Sequence, residues 1–237
     1  MTDTTNLYAE NNLLLGAIAG DLIGSYYEFR PTKDLNFPLF HPESRFTDDT
    51  VMTMATTQWI LTQDNLPSLM QEYGNRYPDA GYGSGFQKWL TSKNPRPYNS
   101  FGNGSAMRIS PVGWAFPSLE ETLRTASENA SVSHNHPEGI KGAQATAACI
   151  FLARTGHSKE QIKKYIEETF HYDLHQSCGT IRKYYTFDVT CQGSVPPSIT
   201  AFLESNDYEH AVRLAVSLGG DADTMGAITG SIAEAYY

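Results

Sequence analysis

The sequence predicts an all-α fold. Apolar residues recur at the 3.6-residue helical spacing through much of the chain. Helix-start residues stand directly ahead of those runs, and alternating β-branched stretches are scarce. The first helix is expected over residues 13–24, where Gly16, Gly20 and Gly24 leave bare backbone on one face for another helix to approach closely. A second, over 50–63, follows the acidic pair Asp48-Asp49, and a third, over 66–77, follows a break at Asn65. Shorter helices are expected around Phe86 and Trp89 and from about Ala106. In the helix expected over 137–155, Pro137 suits the first helical position and Glu138 the first turn. Its apolar face is Ile140, Ala143, Ala147, Ile150 and Phe151. Ser158 and Gln161 make a capping-box pattern ahead of 159–169. Asp207 suits the N-cap of a helix bearing Tyr208, Ala211, Val212, Ala215 and Val216, and the last helix runs from Thr224 to the chain end. Residues 186–190 are the best strand candidate, and a Tyr-rich loop would look similar. The stretches 77–85 and 94–104, rich in Pro and Gly, read as loops, where sites commonly sit.

A chain of 237 residues can bury one large core, so a single domain spanning 1–237 is expected. With 40% apolar and 18% charged residues, general disorder is excluded. The formal net charge of −9 offers no long-range attraction to nucleic acid or anionic membranes. A phosphate-bearing ligand must therefore be held locally, by metal, helix N-termini and backbone amides. Cys149, Cys178 and Cys191 form no C-x-x-C pair and read as reduced thiols. Met1–Asn6 has no basic n-region, and the apolar run 13–24 falls short of the ~20 residues a membrane span needs. A cytoplasmic location is expected.

Two look-alike segments stand out: Phe46-Thr47-Asp48-Asp49-Thr50 and Gly219-Gly220-Asp221-Ala222-Asp223-Thr224. Each sets two carboxylates and a threonine hydroxyl at a helix start. Taken singly, either is accounted for by capping and the helix dipole, but each holds one more carboxylate than capping requires. If the two starts meet, four carboxylates share a small volume and need protons or cations. Oxygen ligands without Cys or His favour Mg²⁺, Mn²⁺ or Ca²⁺ over zinc. Gly219-Gly220 would also let backbone come close to a ligand. Between the clusters lie two glycine-rich loops, Gly81-Tyr82-Gly83-Ser84-Gly85 and Ser100-Phe101-Gly102-Asn103-Gly104. They are plain turns, or sets of free N–H groups that suit a phosphate. His134 and His136 precede Pro137 as either helix-capping or ligand-contacting residues. Glu28 sits among aromatics, where partial burial would suit acid–base work; an ion pair with Arg30 is the simpler alternative.

These motifs resemble the ADP-ribosylglycohydrolase family. The resembling stretches are Gly16-Ala17-Ile18-Ala19-Gly20-Asp21-Leu22-Ile23-Gly24, Phe46 to Met52, Gly102-Asn103-Gly104-Ser105-Ala106-Met107-Arg108, Ser133 to Gly139 and Gly219 to Tyr236, in the family's order. The resemblance implies a compact orthogonal helical bundle with a binuclear centre, two Mg²⁺ or Mn²⁺, in a cleft. By the same resemblance Thr47, Asp48, Asp49, Asp221, Asp223 and Thr224 bind metal. Gly83 and Ser84 contact the phosphates. Ser100, Phe101, Gly102 and Asn103 grip the distal part of ADP-ribose, with Phe101 stacking on adenine, and His134 lines the cleft. Glu28 matches a catalytic glutamate of serine-directed members. The implied activity is magnesium-dependent hydrolysis of the C1″ bond between ADP-ribose and a modified protein or other acceptor, O-linked in preference to arginine, with free ADP-ribose as product. Glu28, Asp49 or Asp223 would manage the proton. An ADP-ribose-binding module with little turnover and a two-metal nucleotide phosphoesterase are the competing readings.

Overall fold

A computed structural model describes residues 14–237. The Met1–Asn6 segment and Leu13 lie outside the described residues. The regular elements of the described residues are helices: α1 (Leu15–Ser25), α2 (Asp48–Thr62), α3 (Leu66–Arg76), α4 (Ser84–Leu90), α5 (Gly104–Met107), α6 (Ser110–Ala115), α7 (Leu119–Ser131), α8 (Pro137–Arg154), α9 (Lys159–Phe170), α10 (Cys178–Ile181), α11 (Cys191–Glu204), α12 (Tyr208–Val216) and α13 (Ala222–Tyr236).

The sequence explains most helix starts. Thr47, Asn65, Ser158 and Asp207 each accept a backbone N–H from the first turn that follows, and the Ser158–Gln161 capping box is formed in both directions. Helix α7, which the sequence reading did not anticipate, opens with the same chemistry, Ser118 accepting from the Glu121 N–H at 3.2 Å. The strand candidate over 186–190 forms no strand. It contributes one isolated bridge between Thr190 and Gly102, where Asn103 N–H donates to the Val189 carbonyl at 2.8 Å. That pairing ties the 100–104 loop to the 186–190 segment and builds one cleft wall.

The core is organised around α13, which is buried from Ala222 to Ala233 and packs against α1, α8, α11 and α12. Its crossing with α1 depends on the three glycines spaced four apart. A methyl on Gly20 would lie 2.0 Å from the Gly226 carbonyl oxygen, and one on Gly24 would lie 2.1 Å from that of Ala222. The two backbones touch. This contact places the start of α13 beside the end of α1 and so brings residues far apart in sequence together.

Gly20→Ala is therefore expected to destabilise the fold by about 3 kcal/mol, the upper end of ordinary overpacking. Thermal unfolding should show the midpoint falling by roughly 6–12 °C. Gly83→Ala serves as the control, since a methyl there meets nothing within 4 Å. Equal midpoints for the two variants would contradict so close a crossing.

Candidate active site

The carboxylates gather where α1, α2 and α13 meet. Asp49, at the first turn of α2, is buried at 2% exposure, and Asp221 and Asp223 at the start of α13 are buried at 5% and 4%. Asp48 is half-buried and lines the cleft. The expected meeting of the two acidic segments occurs: Thr224 Oγ1 lies 3.3 Å from Asp49 Oδ2. Carboxylate oxygens of Asp21, Asp49 and Asp223 come within 4.8 Å of one another, as do those of Glu28, Asp221 and Asp223. Asp223 belongs to both groups.

Asp21 is a site residue that the sequence reading did not single out by role. It is fully buried on α1. Its Oδ2 accepts from the Thr47 and Thr50 N–H groups at 2.9 and 3.1 Å and from the Thr50 hydroxyl, while Oδ1 accepts from the Thr47 hydroxyl at 2.8 Å. Asp21 thus holds the N-terminus of α2 from outside that helix. The Thr47 hydroxyl is shared between Asp21 and Asp49, 3.2 Å from Asp49 Oδ2.

Electrostatics in this cluster run against ionisation. Two like charges ~4 Å apart repel by about 4 kcal/mol at an effective dielectric of ~20. Burial first, then the neighbouring acids, pushes the Asp48 and Asp49 carboxyls well above the usual range, with Asp223 foremost among those neighbours. Burial and Asp221 do the same to Asp223. Burial pushes Asp221 up to about 6 against a lowering hydrogen bond from Asn103 Nδ2, 2.6 Å away. Burial and then Asp223 push Glu28 up to about 8. Asp49 Oδ1 is buried without a hydrogen-bond partner. An orphaned carboxylate oxygen among crowded acids, with oxygen donors alone, fits hard divalent cations such as Mg²⁺ or Mn²⁺.

Glu28 follows the end of α1 and lines the same cleft. It does not pair with Arg30, whose guanidinium instead meets Glu43 at 3.1 Å and lies over the Tyr26 ring. The next residue, Phe29, is 77% exposed and stacks on Phe187 across the mouth, their ring centroids 6.2 Å apart.

The cleft has a volume of about 390 Å³, and Gly83, Ser84, Ser100, Gly102, Asn103 and His134 line it beside the acids. Phe101 is not among the lining residues. It stands 44% exposed at the rim with its ring edge-on to His136. Of the two histidines, His136 Nδ1 accepts the Glu138 N–H and caps α8, while His134 is buried and faces the cleft. Burial, with the Arg108 charge second, holds the His134 imidazole well below the usual histidine range, so it is neutral.

Gly219-Gly220 does not serve the ligand approach expected of it. Gly219 takes a left-handed turn (φ 73°) against Lys33, and a methyl on Gly220 would lie 2.3 Å from Tyr185. The pair makes room for protein side chains under the acidic segment. Lys33 Nζ donates to the carbonyls of Leu218 and Tyr185 and so anchors that turn.

The family model for ADP-ribosylglycohydrolase matches residues 11–237. Relatives include ADP-ribosylhydrolase ARH3 of Mus musculus, 28% identical over 94% of this chain and 82% of that protein. ARH3 of Homo sapiens is 27% identical over 94% of this chain and 84% of its own. ADP-ribosylarginine hydrolase Tri1 of Pseudomonas putida (strain GB-1) is 26% identical over 94% of this chain and 69% of its own. A solved structure described as an ADP-ribosylglycohydrolase-related protein complex superposes with a TM-score of 0.76 at 22% identity, covering all of this chain and 89% of that one, a likeness of fold. With the family pattern running from residue 11 to the last residue and the helical architecture shared, the chain belongs to the ADP-ribosylglycohydrolase family of hydrolases.

Proposed function

We propose that this protein is a divalent-metal-dependent ADP-ribosyl hydrolase. It cleaves the C1″ glycosidic bond between ADP-ribose and a modified acceptor and releases ADP-ribose. The observation that carries this reading is the pair of carboxylate groups, Asp21/Asp49/Asp223 and Glu28/Asp221/Asp223, sharing Asp223 at the acidic part of a glycine-lined cleft. Asp48, Asp49, Asp221 and Asp223, with Thr47 and Thr224, would hold two Mg²⁺ or Mn²⁺. When bound, these ions supply templating and Lewis-acid chemistry at the ribose beside the scissile bond.

The chain's own residues account for the rest. Asn103 orients Asp221, and Asp21 fixes the start of α2 and with it Asp48 and Asp49. Gly83, Ser84 and Ser100 line the cleft where backbone groups would meet the diphosphate, so an acidic protein can hold an anion. As the C1″–acceptor bond breaks, oxocarbenium character develops and water adds to C1″. Glu28, half-buried at the cleft and pushed up to about 8 in the metal-free protein by burial and then Asp223, is the residue that donates a proton to the departing acceptor oxygen. Asp49 or Asp223 takes the proton from the attacking water. An acid positioned for the leaving group favours an O-linked acceptor such as serine over arginine, because an alkoxide leaves only with protonation. The whole chain, 1–237, acts as one cytoplasmic domain in this reading. Among the described residues, no helix is long and apolar enough to cross a membrane.

Mass spectrometry of products from serine-, arginine- and nucleotide-linked ADP-ribose substrates, with and without magnesium, tests the proposal. Free ADP-ribose from the serine-linked substrate, formed only with metal, is expected. Phosphate release would assign a phosphoesterase, and binding without turnover a reader. In the same assay Glu28→Gln should lower kcat by about 10²–10⁴-fold, the ordinary contribution of a positioned proton donor, while ADP-ribose affinity stays within about threefold, under 1 kcal/mol. Full activity in Glu28→Gln would remove the residue from the chemistry.

A further inference from the structure

We propose that Arg108 and Ser133 are positioning residues that lock His134 as an Nε2–H donor aimed at the phosphate groups of the ligand. The inference rests on the reading of the cleft as an ADP-ribose site. Arg108 is the sole Lys or Arg among the residues lining that cleft, and it is 1% exposed. A buried guanidinium is expensive to desolvate and is ordinarily matched by a carboxylate. Arg108 has no such partner among the described residues. Its Nε donates to Asn129 Oδ1 at 2.9 Å, its Nη1 to the Gly104 carbonyl at 3.1 Å, and its Nη2 to the Asn129 carbonyl at 3.0 Å and to Ser133 Oγ at 3.2 Å.

The direction of this chain is set by chemistry. A guanidinium has donors and no acceptor, so Ser133 Oγ must accept from Arg108. The serine hydrogen finds its one acceptor among the described residues in His134 Nδ1, 2.8 Å away, and we take the bond in that direction. With Nδ1 accepting, the proton of the neutral imidazole sits on Nε2. That nitrogen has no hydrogen-bond partner among the described residues. It faces Gly102 and Gly104, where added methyl groups would lie 3.6 and 3.1 Å from it. Those glycines leave the donor open to the cleft. The arrangement also answers a charge problem. The acids of the proposed metal cluster and a diphosphate must share one cleft, and the sole cation lining it stands behind a neutral donor beside Gly102 and Gly104.

Three measurements on Ser133→Ala test the relay. Long-range ¹H–¹⁵N correlation spectra of the ligand-free protein should show His134 wholly in the Nε2–H form in the wild type and a mixture of tautomers in the variant. Calorimetry with ADP-ribose and Mg²⁺ should show about tenfold weaker binding by the variant, equal to about 1.4 kcal/mol. Its KM should rise more than its kcat falls. His134→Gln, whose amide nitrogen reaches the place of Nε2, should keep the affinity within about threefold, whereas His134→Asn, which reaches only the place of Nδ1, should lose about tenfold, since hydrogen bonds to charged groups carry this much. An unchanged tautomer in Ser133→Ala, or a lost tautomer with unchanged affinity, would overturn the relay while leaving the hydrolase reading in place. Failure of the wild type to bind ADP-ribose would overturn both.

Discussion

Asp223→Asn is expected to abolish hydrolysis while raising the thermal stability of the metal-free protein. Asp223 is shared by both carboxylate groups, so its loss weakens the hold on each ion at once. Lewis-acid and templating effects are worth several kcal/mol at the transition state. At 1.36 kcal/mol per decade, turnover should fall by at least about 10³-fold. The stability effect has the opposite sign. In the chelated protein at pH 8 Asp223 is a buried acid pressed by Asp221 and Asp21, and the neutral amide removes that repulsion at nearly equal volume. A gain of about 1 kcal/mol corresponds to roughly 2–4 °C for a chain of this size. Steady-state hydrolysis and calorimetric unfolding in chelator check both halves. A variant that is inactive and less stable would mark Asp223 as a structural residue, and an active one would end the metal reading.

In the metal-free wild type, stability is expected to fall as pH rises from about 5.5 to 8, and added magnesium should restore it. The folded-state carboxyls of Asp48, Asp49 and Asp223 are raised well above their unfolded values, Asp221 to about 6 and Glu28 to about 8. Between the unfolded values near 4 and these raised ones, the folded chain binds more protons than the unfolded one. Rising pH therefore favours unfolding across that window. His134 acts the other way. Its depressed folded value costs stability only as pH falls through about 6.5, where the unfolded imidazole takes a proton and the folded one does not. Burial raises Asp21 as well, and these six acids against one histidine set the net sign. The expected midpoint drop is about 5 °C or more, since 2 kcal/mol moves a protein of this size by roughly 4–8 °C. Magnesium at 100 times its Kd should return about 2.7 kcal/mol per site at pH 8, releasing protons as it binds. Differential scanning calorimetry at pH 5.5 and 8, with chelator or with magnesium, measures all four states. A chelated protein that gains stability up to pH 8, or one indifferent to magnesium, would contradict the cluster's electrostatics.

Local signals made the helices and the two acidic segments readable. The Gly16, Gly20 and Gly24 spacing announced a close helix crossing, and α13 supplies the partner. Thr47, Asn65, Ser158 and Asp207 announced helix starts through capping chemistry that depends on neighbours within three residues. Helix α7 carried a readable signal of the same kind in Ser118 and Glu121. Helix α11 was masked by Pro196 and Pro197 inside it. Pro197 cannot donate to the Gly193 carbonyl, and the Tyr185 hydroxyl takes that place at 2.7 Å. A substitute donor from outside the helix leaves no local pattern.

The same reasoning separates the site residues. Asp48, Asp49, Asp221 and Asp223 came in pairs beyond what capping uses, and pairs are visible in a sequence. Asp21 and Arg108 were not visible by role. Asp21 acts on residues 26 and 29 positions away, and Arg108 works through Asn129 and Ser133. Their functions exist only once α1 meets α2 and α5 meets α7. Gly219-Gly220 looked like a ligand approach because bare backbone carries no label of what it accommodates; here it accommodates Lys33 and Tyr185.

The most direct measurement is anomalous diffraction from crystals of the wild-type protein grown with Mn²⁺ and ADP-ribose. Two manganese peaks are predicted within the cluster formed by Asp48, Asp49, Asp221 and Asp223, with the ribose carbon C1″ beside them and Glu28. No peak there, or ions bound elsewhere with the sugar remote from these carboxylates, would contradict it.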